Sequence, residues 1–434
     1  MPLEKRCDLV LSGVIVPGGR VADISCHGGR VCHVGAPLPA DERIECGGML
    51  VLPGAVDMHV HMRGGSQRAK EDWRTGSESA LAGGVTVVVD QPNTIPPLAD
   101  AARFADRVTE ARAQSRCNFA INGGVLPGTD MPGLWKAGAM AFGELFCATS
   151  SYAEALSPGV LVRALEQAAR IAALATIHAE TILEGRDCDL ASHHALRSPG
   201  GEARAVGAVR AKNSAGCRLH FCHLSTGAAI DAAGDSTVEV TPHHLILSME
   251  EFDGPDPRGK VNPPLRAASD RDTLWARWDR VDVLASDHAP HTAAEKSVDF
   301  SEAPSGMPGV ETMVPLLLAA CRARRIPLIT LMEKSSWKPA TILGIPRAGF
   351  AVGDRADFAV YPEQEERVRA ENLHSRAGWT PFEGRPATFP ELVVQGGLVA
   401  FRGGEYAYAA PRWFPGRGYI PPAQMENGAD TARP

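Results

Sequence analysis

Eight short apolar runs, most of them closing on a polar residue, constrain the fold of this chain more than any other feature. They are "VDMHVH", "GVTVVVDQPN", "CNFAINGGV", "GAMAFGELF", "ALATIHAE", "CRLHFCHLS", "STVEVTPHH" and "VDVLASDHAP". Stretches rich in Ala, Leu, Arg and Glu fall between most of them, clearest in "EDWRTGSESALAGG", "PLADAARFADRVTEARAQS", "GVLVRALEQAARIAA" and "GEARAVGAVRAKNSAG". Strands that alternate with helices lie parallel and bury both faces. Eight such units predict a closed (β/α)8, TIM-like barrel over residues 51–350.

The two ends have a different texture. Residues 1–50 read as short β-segments broken by Gly-Gly and Pro-Gly, as in "DLVLSGVIVPGG" and "ERIECGGMLVLPG". Residues 351–434 resume that style with "ADFAVYP" and "ELVVQGGLVAFRGGEYAY". A small β-sandwich domain assembled from both termini is the expectation, with the polar tail "PPAQMENGADTARP" fraying beyond it.

Composition narrows the class of function. A net charge of −7 without a basic block gives no support to nucleic-acid or membrane binding. No apolar run approaches the ~18–20 residues of a membrane span, and the N-terminus lacks the shape of a signal peptide, so a cytoplasmic location is expected. The ten cysteines are scattered without a C-x-x-C pair. They read as buried reduced thiols, Cys222 included, although it adjoins a candidate ligand.

Barrel enzymes place their chemistry at the C-terminal ends of the strands. His59 and His61 end the first run, Asn93 follows the second, and Glu144 ends the fourth. His178, His223, the pair His243–His244 and Asp287 end the fifth to eighth. Residues i and i+2 of a strand share a face, so His59 and His61 point into one space, with Arg63 on the same side if the strand persists. Imidazole and carboxylate from several elements are the ligands of a catalytic zinc. Arg63 suits a bidentate grip on a carboxylate and supplies the local positive field that an acidic protein otherwise lacks.

The order H-x-H, His, His, Asp on strands one, five, six and eight resembles the amidohydrolase superfamily. Within it, "HVHMR", "QPNTIPP", "TIHAE", "CHLST", "EVTPHH", "KVNPPLR", "SDHAPH" and "SGMPGVET" resemble, in order, the motifs of the dihydroorotase family. The resemblance spans about residues 50–360. It implies interconversion of N-carbamoyl-L-aspartate and L-dihydroorotate in pyrimidine synthesis, with one or two Zn2+ per chain. It further implies that His59, His61 and Asp287 hold the more buried zinc, and that His178 and His223 hold the second. Arg63, Asn93 and His291 would bind the substrate carboxylate, His61 would also face the substrate, and Asn262 with the Pro308–Gly309 backbone would meet the ring. Asp287 would carry the proton between water and the ring nitrogen.

Two stretches depart from the family pattern. "RGGSQRAKEDW" replaces the usual acidic residue and Pro-Gly after the arginine, which reshapes a loop. "GAMAFGELF" has Gly143 where many relatives carry a carboxylated, metal-bridging lysine. Glu144, as in archaeal-type relatives, is the expected substitute bridge. Against it, a one-residue shift reverses side-chain direction in a regular strand. Two other readings stay open: a hydantoinase or allantoinase, which needs no carboxylate clamp, and a silent dihydroorotase-like subunit that scaffolds aspartate carbamoyltransferase. For His243 and His244 a supporting role is expected over ligation.

Overall fold

Strands β1 (Cys7–Ile15), β2 (Val21–His27), β3 (Arg30–Gly35), β4 (Ala40–Glu45) and β5 (Leu50–Pro53) follow one another at the N-terminus of the computed structural model, which describes residues 6–150 and 154–421. The polar tail read as fraying lies outside these residues from residue 422 onwards. Tight Gly-containing turns join β1 to β2 and β2 to β3, and both pairs are antiparallel.

The barrel strands are β6 (Ala55–Val60), β7 (Val85–Asp90), β8 (Asn118–Ile121), β9 (Phe142–Phe146), β10 (Leu174–His178), β11 (Arg218–Phe221), β12 (Thr237–Val240) and β13 (Val283–Leu284). Every hydrogen-bonded pair among them is parallel. The ladders β6–β8 and β9–β13 meet through single parallel bridges at Gly123–Phe142 and Val60–His288, which close the ring. The four clearest helical stretches form helices Trp73–Ala82, Ala101–Gln114, Pro158–Arg170 and Pro199–Lys212. Each starts on a side chain that accepts an N3 backbone N–H: Asp72, Asp100, Ser157 and Ser198.

The chain then returns to the terminal sheet. Strand β14 (Phe358–Tyr361) pairs with β5, while the short pair β15 (Glu366–Arg367) and β16 (Pro386–Ala387) stands apart. Strands β17 (Leu392–Gln395), β18 (Leu398–Arg402) and β19 (Glu405–Tyr406) complete a nine-stranded sheet, with β4 beside β1. Side chains alternate across a strand, and this sheet uses both faces. Val51, Phe358, Val360, Leu392 and Val394 fill its own core. Leu50, Leu52, Ala359, Tyr361 and Val393 belong to the barrel core. The sheet is therefore welded to the barrel by the odd and even positions of the same strands. No helix among the described residues is long and apolar enough to cross a membrane, and all ten cysteines are free thiols.

Candidate active site

Asp90 shapes the first strand end. Its carboxylate accepts the Met62 N–H at 2.8 Å and Arg107 Nε at 2.9 Å, an ion pair buried on both sides. That contact turns the chain just beyond His61, and Arg63 takes a φ of 46°. His223 (35°) and Asp287 (44°) likewise have positive φ, so three of the five such non-glycine residues among the described residues stand at this site. Backbone of this kind persists where surrounding contacts impose it, often at functional positions.

Glu144 sits where the two imidazole pairs meet, and its two oxygens divide between them. Oε1 lies 3.3 Å from His178 Nδ1 and 2.9 Å from His223 Nε2. Oε2 lies 3.4 Å from His59 Nε2 and 3.9 Å from His61 Nε2. The side-chain direction follows from an irregular strand: the β9–β10 register shifts between Ala175 and Ile177, opposite Gly143 and Glu144. Gly143 has a φ of 139°, and a Cβ there would collide with the hydroxyl and carbonyl oxygens of Thr176. At this position a side chain would point into the neighbouring strand. Glu144 takes the inward direction instead.

Asp287 completes the cluster, with Oδ1 3.2 Å from His61 Nε2 and 3.5 Å from His59 Nε2. The rear nitrogens of the imidazoles are fixed by partners. His59 Nδ1 meets Glu239 at 2.9 Å, His61 Nδ1 meets Asn93 Oδ1 at 2.8 Å, and His178 Nε2 meets Glu180 at 2.7 Å. Each oxygen can accept an N–H, so that with a cation at the centre in place of a proton the opposite nitrogen would turn its lone pair inward. Burial would lift the Asp287 and Glu144 carboxyls, but the surrounding imidazoles outweigh it and hold both well below the carboxylate range. Burial would depress His59, yet Glu144, Glu239 and Asp287 hold it well above the imidazole range. The centre is a place where negative charge asks for a cation.

Its donors fit a divalent metal. His59 Nε2 is fully buried and makes no hydrogen bond. Two ligand atoms about 2.1 Å from one tetrahedral zinc lie about 3.4 Å apart. The spacings of 3.4 and 3.5 Å from His59 Nε2 to Glu144 and Asp287 match that edge. Among the described residues, His59, His61 and Glu144 form one potential ligand trio, and Glu144, His178 and His223 another. A third trio, His59, Cys222 and Glu239, is better read as support. Glu239 also receives the His223 N–H at 3.0 Å and faces His220 at 3.2 Å, while burial pushes the Cys222 thiol up to about 12.

A narrow cleft opens onto this cluster. His61, Arg63, Asn93, Glu144, Asn262 and Asp287 line it, together with His178 and His223. Arg63, only 4% exposed, is among the residues that line it. His291 is buried behind the wall, with Nε2 3.1 Å from the Ser305 carbonyl. Pro308 and Gly309 line a neighbouring small cavity with His288 and Trp379, and Gly309 N–H donates to His288 Nδ1. His244 bonds Thr241 and the Pro263 carbonyl, so it braces the "NPPLR" loop, and burial pulls His243 down to about 4.

Sequence reasoning missed the residues that stand behind the ligands. Glu239 was visible as a charge inside the apolar run "STVEV", and Glu180 as the acid two places after His178. Phe146, Val261, Ser305 and Gly306, which lie within the quoted motifs, also line the cleft, as does Ser150, which no local pattern marks.

A barrel of this connectivity, with imidazoles and carboxylates gathered at its C-terminal mouth, is an amidohydrolase architecture, and the profile of the amidohydrolase family matches residues 50–372. The chain belongs to that family. Within it the chain is similar to enzymes named dihydroorotase. That of Methanosarcina acetivorans is 39% identical over 413 residues, covering 88% of each chain. That of Halobacterium salinarum is 38% identical, over 91% of this chain and 96% of the relative, and that of Geobacillus kaustophilus 35%, over 93% and 98%. Among solved structures, L-hydantoinase (dihydropyrimidinase) from Arthrobacter aurescens superposes with a TM-score of 0.87 at 27% identity, covering 94% of this chain and 99% of that one. D-hydantoinase from a Thermus species shares the fold, with a TM-score of 0.85 at 22% identity over 94% and 99%.

Proposed function

We propose that this chain is a zinc-dependent dihydroorotase, closing N-carbamoyl-L-aspartate to L-dihydroorotate and reopening the ring. The observation that carries the substrate choice is Arg63, a buried arginine lining the same cleft as the imidazole–carboxylate cluster. A dihydroorotate ring carries a carboxylate for that fork, and a simple hydantoin does not.

His59, His61 and Asp287 would hold one zinc and His178 and His223 the other, with Glu144 between them. Bound there, zinc supplies a Lewis acid and brings the deprotonation of water into the neutral range. The chain's own groups do the rest. Arg63 and Asn93 orient the substrate by its carboxylate, and Asn262 faces the ring from the other side of the cleft. Asp287 accepts the proton of the attacking water and passes it to the ring nitrogen as the C–N bond breaks. In the ring-closing direction the same carboxylate takes the proton of the attacking carbamoyl nitrogen as the C–N bond forms and hands it to the departing hydroxyl, which leaves as water.

A dihydroorotase-like chain that only scaffolds aspartate carbamoyltransferase would be free to lose its ligands. All of them are present and buried here, which favours the catalytic reading. Association with that enzyme remains part of the proposal and is checked by gel filtration of the mixed proteins.

Assay of the wild type and Arg63→Lys on dihydroorotate and on hydantoin tests the reading. The lysine keeps the charge but loses the fork, so dihydroorotate binding should weaken by about 1.5–3 kcal/mol, with hydantoin poor throughout. Efficient hydantoin turnover, indifferent to Arg63→Lys, would reassign the chain to the hydantoinases.

A further inference from the structure

The side chain of Arg197 joins two parts of the site that the sequence keeps far apart. It caps the helix Leu190–Leu196, outside the barrel strands. Its Nη1 donates to Glu180 Oε2 at 2.6 Å, and that same oxygen accepts His178 Nε2 at 2.7 Å. Its Nη2 donates to the Thr149 carbonyl at 2.9 Å. Thr149 precedes Ser150, which lines the cleft and accepts Asn262 Nδ2 at 3.2 Å. The Glu180 side chain is 1% exposed and that of Arg197 10%, so the ion pair is shielded from solvent, while the bond to Thr149 lies at the surface. The Arg197 carbonyl is itself held by Arg266 Nη1.

We infer that Arg197 is a positioning residue with two separable outputs, one to the metal centre and one to the substrate cleft. Towards the metal, it orients and neutralises Glu180, which fixes the tautomer of His178 and turns Nδ1 to the centre. Partners of this kind, once lost, typically weaken metal binding about 10–100-fold. Towards the substrate, it ties down the 147–150 segment and with it the Ser150–Asn262 wall. A planar fork serves two acceptors at fixed angles, and a lysine serves one. The inference rests on His178 being a ligand, as in the proposed function.

Three variants separate the outputs: Arg197→Met, Arg197→Lys and Glu180→Gln. The readouts are metal retained per chain after a chelator challenge, and KM and kcat for dihydroorotate. Arg197→Met should lose metal about 10–100-fold more readily and raise KM. Arg197→Lys, pairing with Glu180, should retain metal while KM rises about fivefold, the scale of one lost hydrogen bond. Glu180→Gln should loosen metal and leave KM unchanged, because the tie to Thr149 survives. A purely structural Arg197 would lower thermal stability in all three while the folded fraction kept wild-type metal retention and KM, and that result overturns the inference. Should Arg197→Met fail to fold, the opposite responses of the other two decide alone. His178→Ala is the control for the underlying reading. If it keeps all its metal, the ligand assignment fails. If it loses metal while Arg197→Met and Glu180→Gln do not, only the role of Arg197 fails.

Discussion

Glu144 offers one oxygen to each imidazole pair, and a carboxylate placed so needs no carbon dioxide adduct to bridge two cations. Glu144→Ala should therefore lose at least one zinc per chain by elemental analysis, since His178 and His223 alone fall short of the three protein ligands of a typical catalytic zinc. Glu144→Gln should be impaired too, because an amide brings no charge to the centre. Retention of full metal and rate by Glu144→Ala would remove the carboxylate from the ligand set. Asp287→Asn should stay folded and lose well over tenfold in turnover, as general acid–base groups contribute about 10²–10⁴-fold. A tenth of wild-type turnover in that variant would exclude the proton-carrying role. At this scale the sequence was legible wherever a polar residue ended an apolar run, as His59, His178 and Asp287 do. It was illegible for Arg197 and Ser150, whose partners are set by tertiary contact and by nothing in their own neighbourhood.

The ends of the barrel strands are less regular than the runs that announce them. β13 keeps only Val283 and Leu284 in the ladder before Ser286 and Asp287 turn inward. Asp57 helps hold that turn: it accepts the Ser286 N–H at 3.1 Å, and burial pushes its carboxyl up to about 7. In β9 the register shift and Gly143 deliver Glu144 to the centre, resolving the reversal that a regular strand would impose. Strand type and order could be read from apolar runs, since burying eight parallel strands demands them. A break in register left no trace except a glycine. That glycine makes a prediction. Gly143→Ala should destabilise the protein by about 1–3 kcal/mol through positive φ and overpacking against Thr176, and should also reduce bound metal by turning Glu144 aside. Thermal unfolding and metal content are the measurements, and a variant normal in both would mean that the backbone at 143 does not set the direction of Glu144.

Across the whole molecule, the segment after β15 folds back over the barrel mouth and grips the loops that surround the cleft. Ser375 Oγ donates to Glu71 at 2.6 Å, Trp379 Nε1 donates to the His291 carbonyl at 2.8 Å, and Arg376 pairs with Asp72 at 2.6 Å. His374 is the titratable member of this clasp. Its Nδ1 and its backbone N–H both donate to Glu311, each at 2.8 Å. The hydrogen bond to Glu311 raises the His374 pKa, while burial lifts the Glu311 carboxyl and His374 draws it back. The sign follows from proton counts. Between about 6.5, the unfolded value, and the raised folded value, the native state holds the His374 proton more tightly than the unfolded chain does. Stability from this pair is thus complete below the unfolded value and falls as pH rises through the window. His374→Gln should accordingly be less stable than wild type at pH 6, by roughly 0.5–1 kcal/mol for a partly exposed ring screened by solvent. The difference should shrink towards pH 9, as the wild-type imidazole titrates above its ordinary value. Thermal unfolding of both proteins at the two pH values measures it. A gap equally wide at both would assign the contribution of His374 to packing against Tyr406, whose ring lies 5.4 Å away, and leave the clasp insensitive to pH.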